Sequence, residues 1–495
     1  MDISTAPRVV GVLVVLYLVW KFALVFYNAF TSPLNQVPGP FHARLTNLRL
    51  KLAVITGQRM YYVDSQHKKY GPIVRLTPTE VAVADPHAFQ QIHKIGSGFH
   101  KTQWYSELTS FDAPQIFTMS DAKQHAARRK LLARGFSKSY LRATWEELVK
   151  SKVELTVRKM KEEGSRDRAV DVLKWWTLFS TDVSTHLMFG QSFEMVEKGE
   201  ADTYIRTLQS ALMGSGIGVE IPLVRFIGSW IPLEACRRLF ASTPFLMAYG
   251  TKAIRGSKQR RDTANIFAKI ISESEKDQGG DLGEKDVVIE ATGLIVAGSD
   301  TTGSTLTYLV WAVLSRSQLK DDLQKELSAL PQNYTDQDLE NLPLLNAIID
   351  ETLRLYGAAP GGLPRRTPPE GAQLGGYHIP GGTTVTTQAY TIHRDDTIFE
   401  DALNFDPFRW FHLNTADLTP QQELAKTMNH PFGAGSRTCL GIHLARMELR
   451  LGAAEFFRQC KHAKLAPSTT AKSMEMENFF LIAPQSHRCD VLVGS

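Results

Sequence analysis

The first apolar feature of the chain runs from Val9 to Tyr27, broken only by Lys21. Nineteen residues at about 1.5 Å each nearly match a hydrocarbon core of about 30 Å, so this stretch predicts a membrane-spanning helix. Lys21 lies toward one end, where its ammonium can snorkel, and Tyr17, Trp20 and Tyr27 suit an interfacial belt. No small-residue cleavage site follows, which favours an anchor over a removed signal peptide. Arg8 precedes the span while Arg44, Arg49 and Lys51 follow it, which places the remainder in the cytosol. Pro33 and Val37-Pro38-Gly39-Pro40 then predict a stiff, extended arm.

Beyond the arm the periodicity changes. Ile73-Val74-Arg75-Leu76 and Val81-Ala82-Val83 flank a Thr-Pro-Thr turn and predict a hairpin. Helical patterns dominate from about residue 120 to 355. Between Leu141 and Met160 the apolar positions Leu141, Trp145, Leu148, Val149, Val153, Val157 and Met160 recur at helical spacing, with Gly164 as the stop. Ser272 to Gly283 is polar and glycine-rich, a surface loop. Residues 356 to 440 turn to Pro, Gly and Thr, with short strands and irregular chain. The pattern predicts a mainly α body with a minor β region. No repeat or clear linker divides it, so the expected organisation is an anchor (1–32), a proline-rich arm (33–40) and one catalytic body (41–495).

Asp286 to Ser315 is apolar on nearly every face, which predicts a buried helix. Its middle reads Ala297-Gly298-Ser299-Asp300-Thr301-Thr302-Gly303-Ser304, too polar for a lipid segment. Gly298 removes a side chain, so that something bulky can lie against the backbone, with the Asp300 carboxylate and Thr301 hydroxyl beside it for proton delivery. The alternative is a kinked helix whose threonine hydroxyls bond back to the preceding turn. This segment alone leaves both open.

Composition narrows the class. The 495 residues are 43% hydrophobic and 22% charged, which excludes a disordered chain. A net charge of +5 gives no case for nucleic-acid binding. The four cysteines, Cys236, Cys439, Cys460 and Cys489, show no zinc spacing, and so few imply a reducing compartment. Three read as buried small residues. Cys439 differs. It lies in Pro431-Phe-Gly-Ala-Gly-Ser-Arg-Thr-Cys-Leu-Gly441, before the amphipathic stretch Ile442–Phe457. Gly433, Gly435 and Gly441 allow tight turns close to a flat ligand. A thiolate at a helix N-terminus is stabilised by the helix dipole and free N–H groups. Arg437 can reach an anionic group at the ligand's edge.

The cysteine segment, the Ala-Gly-Ser-Asp-Thr-Thr run in a long helix and Glu351-Thr352-Leu353-Arg354 together resemble the cytochrome P-450 haem-thiolate monooxygenases, over essentially the whole chain. The resemblance implies that fold behind a single-pass anchor in the endoplasmic reticulum membrane. It implies haem b ligated by Cys439, a sulfur donor that favours O–O cleavage of bound O2. Phe432 would shield the sulfur, Gly441 would let the chain approach the haem, and Arg437 and Arg365 would meet the haem propionates. Asp300 and Thr301 would relay protons in the groove opened at Gly298. Glu351, Arg354 and Arg409 would form a buried ion triad. Many members carry Trp four residues before a propionate-binding Arg; here His125 precedes Arg129 by that spacing, and both are expected haem contacts.

No dinucleotide fingerprint follows a strand, so electrons must arrive from a partner. The resemblance implies NADPH–cytochrome P-450 reductase, which the basic run Arg128, Arg129, Lys130, Arg134 and Lys138 could steer. The family's pocket segments map to Trp104, Phe111, Ile116, Phe117, Leu294, Ala297, Ala359, Leu363, Phe479 and Phe480, a wall suited to a small, flat hydrophobic substrate. The stretch from Gly361 to Asp395 resembles fungal secondary-metabolism members that oxidise anthraquinone polyketides such as averantin or versicolorin. Terpenoid and alkaloid substrates stand as alternatives, as does a haem-thiolate synthase or sensor that does not activate O2; Asp300-Thr301 favours the monooxygenase. Ile217–Pro232 is a candidate second membrane contact.

Overall fold

A computed structural model of the chain describes residues 6–108, 111, 113–165, 168–241, 243–259, 265–266, 283–413 and 417–494. The expected loop from Ser272 lies outside the described residues up to Gly283. Contacts divide the chain into two compact units, Met1–Thr102 with Gly362–Thr391 and Gln103–Gly361 with Ile392–Ser495. These divisions fall at other places than the anchor, arm and body of the sequence pattern. The first unit gathers the anchor, the arm and the start of the body, and adds a segment from far along the chain.

In the first unit, α1 (Ala6–Thr31) is a continuous helix whose side chains from Val10 to Asn28 are all exposed. Its segment Val10–Thr31 has mean hydropathy 2.2 and is long enough to cross a bilayer. The Lys21 ammonium lies 5.2 Å from the Trp20 ring, so cation and aromatic share one level of the helix. The arm is not extended throughout, contrary to what its prolines predict. Pro33–Gln36 forms one 3-10 turn capped by Ser32, and Leu34 and Val37 are buried with Ile73, Val81, Val83 and Val385. The Arg75 N–H donates to Pro38 O at 2.8 Å, so the arm is docked along a strand.

The predicted hairpin forms as β1 (Ile73–Thr77) and β2 (Glu80–Val83). With β3 (His100–Lys101), β4 (Gly362–Arg366) and β5 (Thr384–Gln388) it builds a five-stranded sheet of order β1-β2-β5-β4-β3. Only the β2–β5 pairing is parallel, with Val81 opposite Val385.

The second unit is helical. Its main helices are α2 (Ala122–Ala133), α3 (Lys138–Glu163), α4 (Val172–Phe189), α5 (Thr203–Glu220), α6 (Glu284–Leu314), α7 (Pro343–Tyr356) and α8 (Ile442–Gln459). The α3 apolar stripe is buried as its spacing predicts, except that Leu148 is only half-buried, and Gly164 follows the last turn. α6 runs 31 residues and is buried along most of its length. It packs against α4 at two glycines. A Cβ at Gly303 would stand 2.9 Å from Thr177 Cα, and one at Gly298 would stand 2.3 Å from Ser184 Oγ. A short hairpin, β6 (Met476–Asn478) and β7 (Ile482–Pro484), lies near the C-terminus.

Candidate active site

The cysteine loop is built from local hydrogen bonds. The Cys439 N–H donates to Phe432 O at 2.8 Å, and the Thr438 N–H donates to Gly435 O at 3.2 Å. Closing so short a loop requires left-handed backbone at Gly433 (φ 74°) and Gly435 (φ 65°), where a side chain would be strained. Gly441 is the N-cap of α8. A Cβ there would lie 4.0 Å from Cys439 Sγ, so the first peptide of the helix passes beside the sulfur. Cys439 is exposed, yet neighbouring protein desolvates its thiol. Burial pushes its thiol up, while the Gly441 N–H and the Arg129 charge act in the opposite direction. Cys460 and Cys489 are buried as expected, but Cys236 is only half-buried.

The cationic residues bond to backbone around this loop. Arg129 Nη1 donates to Thr438 O at 2.7 Å. Arg437 donates to Met119 O at 2.8 Å and to Ser120 O at 3.2 Å. His125, one turn before Arg129 on α2, is buried at 4% exposure and is no surface residue. One outward-opening thiol beside a helix N–H, with two guanidiniums and an imidazole close by in the fold, is a donor set that fits a flat anionic cofactor bound through sulfur. Among the described residues no group of three His, Cys, Asp or Glu could hold a different metal. Arg365 and Leu363 lie in β4 of the first unit, where Arg365 is buried and donates to Pro364 O at 3.0 Å.

On α6 the structure separates residues that the sequence grouped. A Cβ at Gly298 would point at Ser184, so the glycine lets α4 approach. Successive helical residues do not face one another, and Asp300 and Thr301 point to different neighbours. Gln209 Nε2 of α5 donates to Asp300 Oδ1 at 3.2 Å, and burial pushes the Asp300 carboxyl up. The Thr301 hydroxyl donates to Ala297 O at 2.5 Å, leaving its lone pairs as acceptors. Ser299, Thr305 and Thr307 bond back four residues in the same way. The hydroxyls thus bond back along the helix, and Thr301 keeps its lone pairs as acceptors. Leu294 is half-buried and Ala297 exposed, on one stripe with Thr301.

The ion triad is assembled. Glu351 is fully buried, and Arg354 meets its carboxylate with two nitrogens, at 2.9 and 2.7 Å. Arg409 Nε reaches Glu351 Oε1 at 3.1 Å. Two further donors were not foreseen: Trp410 Nε1 at 3.0 Å and the Asp406 N–H at 2.9 Å. Arg354 also donates to the carbonyls of His393, Ala402 and Asn404, tying α7 to the irregular chain before the cysteine loop.

Four rings form one wall. Trp104 and Phe117 pack on Phe480 with centroids 6.0 and 5.6 Å apart, and Tyr105, which the sequence did not single out, packs on both Trp104 and Phe117. Phe480 holds φ at 127°, rare for a side-chain-bearing residue, and the Asn478 side chain donates to its carbonyl at 3.0 Å. Ala359 is half-buried, and the neighbouring Ala358 O accepts the Ile482 N–H at 2.9 Å. Phe479 points outward at 55% exposure, and Phe111 is half-buried with no ring contact to the cluster. Ile116 is buried, and its N–H bonds to Glu290. Glu290 was missed, although a lone carboxylate inside Val287–Val296 signals a buried partner.

The basic run is not a free positive face. Arg128 pairs with Glu290, Arg129 bonds the cysteine loop, and Lys138 pairs with Glu340. Arg128 and Arg129 are committed inside the fold, and Lys138 is paired at the surface.

A mainly helical body that presents one thiol at the head of a helix, with guanidiniums around its loop, defines a protein that binds a flat anionic cofactor through sulfur. The chain belongs to the cytochrome P450 family: the Cytochrome P450 model matches residues 38–490. It is 39% identical over 484 residues to the cytochrome P450 monooxygenase cypX of Dothistroma septosporum, covering 96% of this chain and 94% of that one. It is 40% identical over 473 residues to the cytochrome P450 monooxygenase stcB of Emericella nidulans, covering 94% and 89%. It is 34% identical over 387 residues to the methylphloroacetophenone oxidase of Cladonia uncialis, covering 75% and 85%. The chain is thus a monooxygenase of a family that works with haem-thiolate iron and O2, and it resembles fungal members.

Proposed function

We propose that the enzyme oxidises an aromatic polyketide intermediate of secondary metabolism, with Cys439 as the proximal ligand of its haem. The observation that carries the ligand assignment is the outward-opening Cys439 sulfur beside the Gly441 N–H at the start of α8. When bound, haem supplies oxygen activation; the chain's own residues hold and orient. Phe432 lends its carbonyl to close the loop and its ring to the Arg446 guanidinium, 5.7 Å away. Arg129, Arg437 and His125 provide donors for the cofactor's acidic edge. The Asp300 carboxyl, whose pKa burial raises, is placed to hand on a proton, and the Thr301 hydroxyl to accept a hydrogen bond.

The substrate class rests on the Trp104, Phe117 and Phe480 rings, backed by the buried Tyr105, which suit a flat aromatic ring system. The likeness to an oxidase named for methylphloroacetophenone, a phenolic ketone, supports the same reading. Electrons would come from NADPH through cytochrome P-450 reductase, and the enzyme would sit on the endoplasmic reticulum with its body in the cytosol.

Optical titration of the membrane-bound enzyme tests this. Anthraquinone-type polyketides are expected to move the haem saturably from low to high spin, while sesquiterpenes and indole alkaloids leave it unchanged. A shift with either of those classes alone overturns the polyketide assignment.

A further inference from the structure

Glu290 is a fully buried carboxylate near the start of α6. Helical spacing puts it on one stripe with Leu294, Ala297 and Thr301, about 10 Å of helix before Ala297. A buried carboxylate costs several kcal/mol unless it is paired and hydrogen-bonded. Arg128 of α2, with 14% of its side chain exposed, supplies the charge. The rest comes from a segment with no helix or strand: the Ile116 N–H is shared between both Glu290 oxygens, at 2.9 and 3.1 Å.

That amide belongs to a tight turn. The Gln115 N–H donates to Thr118 Oγ1 at 3.0 Å, and the Thr118 N–H donates to Gln115 O at 2.8 Å. Ile116 and Phe117 are its central residues. Gln115 seats in a notch of α6 at Gly293, where an added Cβ would stand 1.5 Å from Gln115 Oε1. Beyond the turn, Arg437 of the cysteine loop holds Met119 O and Ser120 O. The turn is therefore anchored at one end to α6 and at the other to the cysteine loop, and it presents the Phe117 ring to Phe480.

We propose that the Glu290–Arg128 pair is a positioning device for the substrate-facing turn, fixing where Ile116 and Phe117 stand and so setting which bulky ligands the site accepts. The proposal rests on the reading of Cys439 and the aromatic wall given above. Glu290 touches no reacting atom. It acts through the Ile116 amide, and a substitution there should spare cofactor ligation.

The test uses full-length, haem-loaded protein and the variant Glu290→Gln, which keeps shape and removes charge. Three quantities are read: the thiolate-type carbon monoxide spectrum, hydrogen exchange at the Ile116 amide, and the Kd values of imidazole and miconazole. Imidazole is small and needs only the metal; miconazole must also fit the wall. The expected result is an unchanged thiolate spectrum, exchange at Ile116 faster by about tenfold, imidazole affinity within about twofold, and miconazole weakened by about tenfold. Unaltered exchange at Ile116 overturns the clamp. Equal loss of both ligands, or of neither, overturns its role in ligand fit. If the Gln variant does not accumulate, Gly293→Ala displaces Gln115 without touching the pair, and the same split between the two ligands is expected. Absence of the thiolate spectrum in the parent enzyme would instead overturn the ligand assignment, independently of the clamp.

Discussion

At the scale of single residues the site depends on where charge is permitted. Cys439→Ser should abolish the thiolate-type carbon monoxide spectrum, and an unchanged spectrum would sink the ligand assignment. Glu448 on α8 makes a different case. It is buried at 1% exposure, accepts the Thr302 hydroxyl at 2.9 Å, and its other oxygen has no partner among the described residues. Burial raises its pKa from 4.5 to about 8, so the folded state holds a proton that the unfolded chain releases above its ordinary pKa. The folded protein binds the extra proton, so stability falls as pH rises between about 4.5 and about 8, by about 1.4 kcal/mol per unit. Glu448→Gln should remove that slope, and denaturant unfolding at pH 5, 7 and 8.5 measures it. Cys439 was legible because its signature is local: glycines, an arginine and a helix start within eleven residues. The Glu290 partner lies 162 residues away, and no pattern in the sequence marks Arg128 as turned inward.

At the scale of elements, α6 carries two tasks on one helix. One side is a packing surface in which small residues admit α4; another holds the stripe Glu290, Leu294, Ala297 and Thr301. The sequence showed the apolar length and the polar interruption, but not which small residue served which side. The Gly298 contact with Ser184 is not legible in the sequence, because Cβ directions on a buried helix depend on neighbours that sequence does not locate. Thr301→Ala should alter stability by no more than about 0.5 kcal/mol, since the hydroxyl bonds only its own helix. In the same variant product formation should slow while NADPH is diverted to peroxide, measured as product and peroxide per NADPH. Tight coupling would remove Thr301 from the proton path. α7 is a contrasting case: Glu351→Ala strands Arg354 and Arg409 and should cost about 3–5 kcal/mol, seen as a lowered thermal midpoint with loss of bound haem. The triad was readable from motifs alone; Trp410 and the carbonyl ligands of Arg354 were not, because backbone acceptors leave no residue signature.

For the whole molecule, attachment and stability separate at the arm. Arg75 is buried at 2% exposure and donates through Nη1 to Asn35 Oδ1 at 2.8 Å. A chain starting at residue 33 keeps that partner and should bind haem normally. A chain starting at residue 41 loses the Asn35 acceptor of the guanidinium and the Pro38 carbonyl that accepts the Arg75 N–H, and should lose about 2–4 kcal/mol by denaturant unfolding. Removing α1 should not fully free the protein from membranes. Leu223, Phe226, Ile227 and Trp230 lie at helical spacing on Pro222–Trp230 and are 51–77% exposed, an apolar stripe of the kind that lies in an interface. Phe226→Asp with Trp230→Asp in the shortened chain should move it from the pellet to the supernatant; a chain already soluble without these changes would show that α1 is the sole attachment.

The first unit also imposes an order on biogenesis. Strand β2 is complete at Val83, but its parallel neighbour β5 begins at Thr384. At about 5–20 residues per second, a ribosome needs roughly a quarter of a minute to a minute to supply it. Throughout that interval the nascent hairpin carries an unsatisfied row of backbone donors and acceptors along β2, the template that strand-exchange and aggregation exploit. A cell that makes this enzyme faster than β5 can dock should therefore accumulate it as inclusions, and slowing translation or lowering the growth temperature should restore yield without any change in sequence.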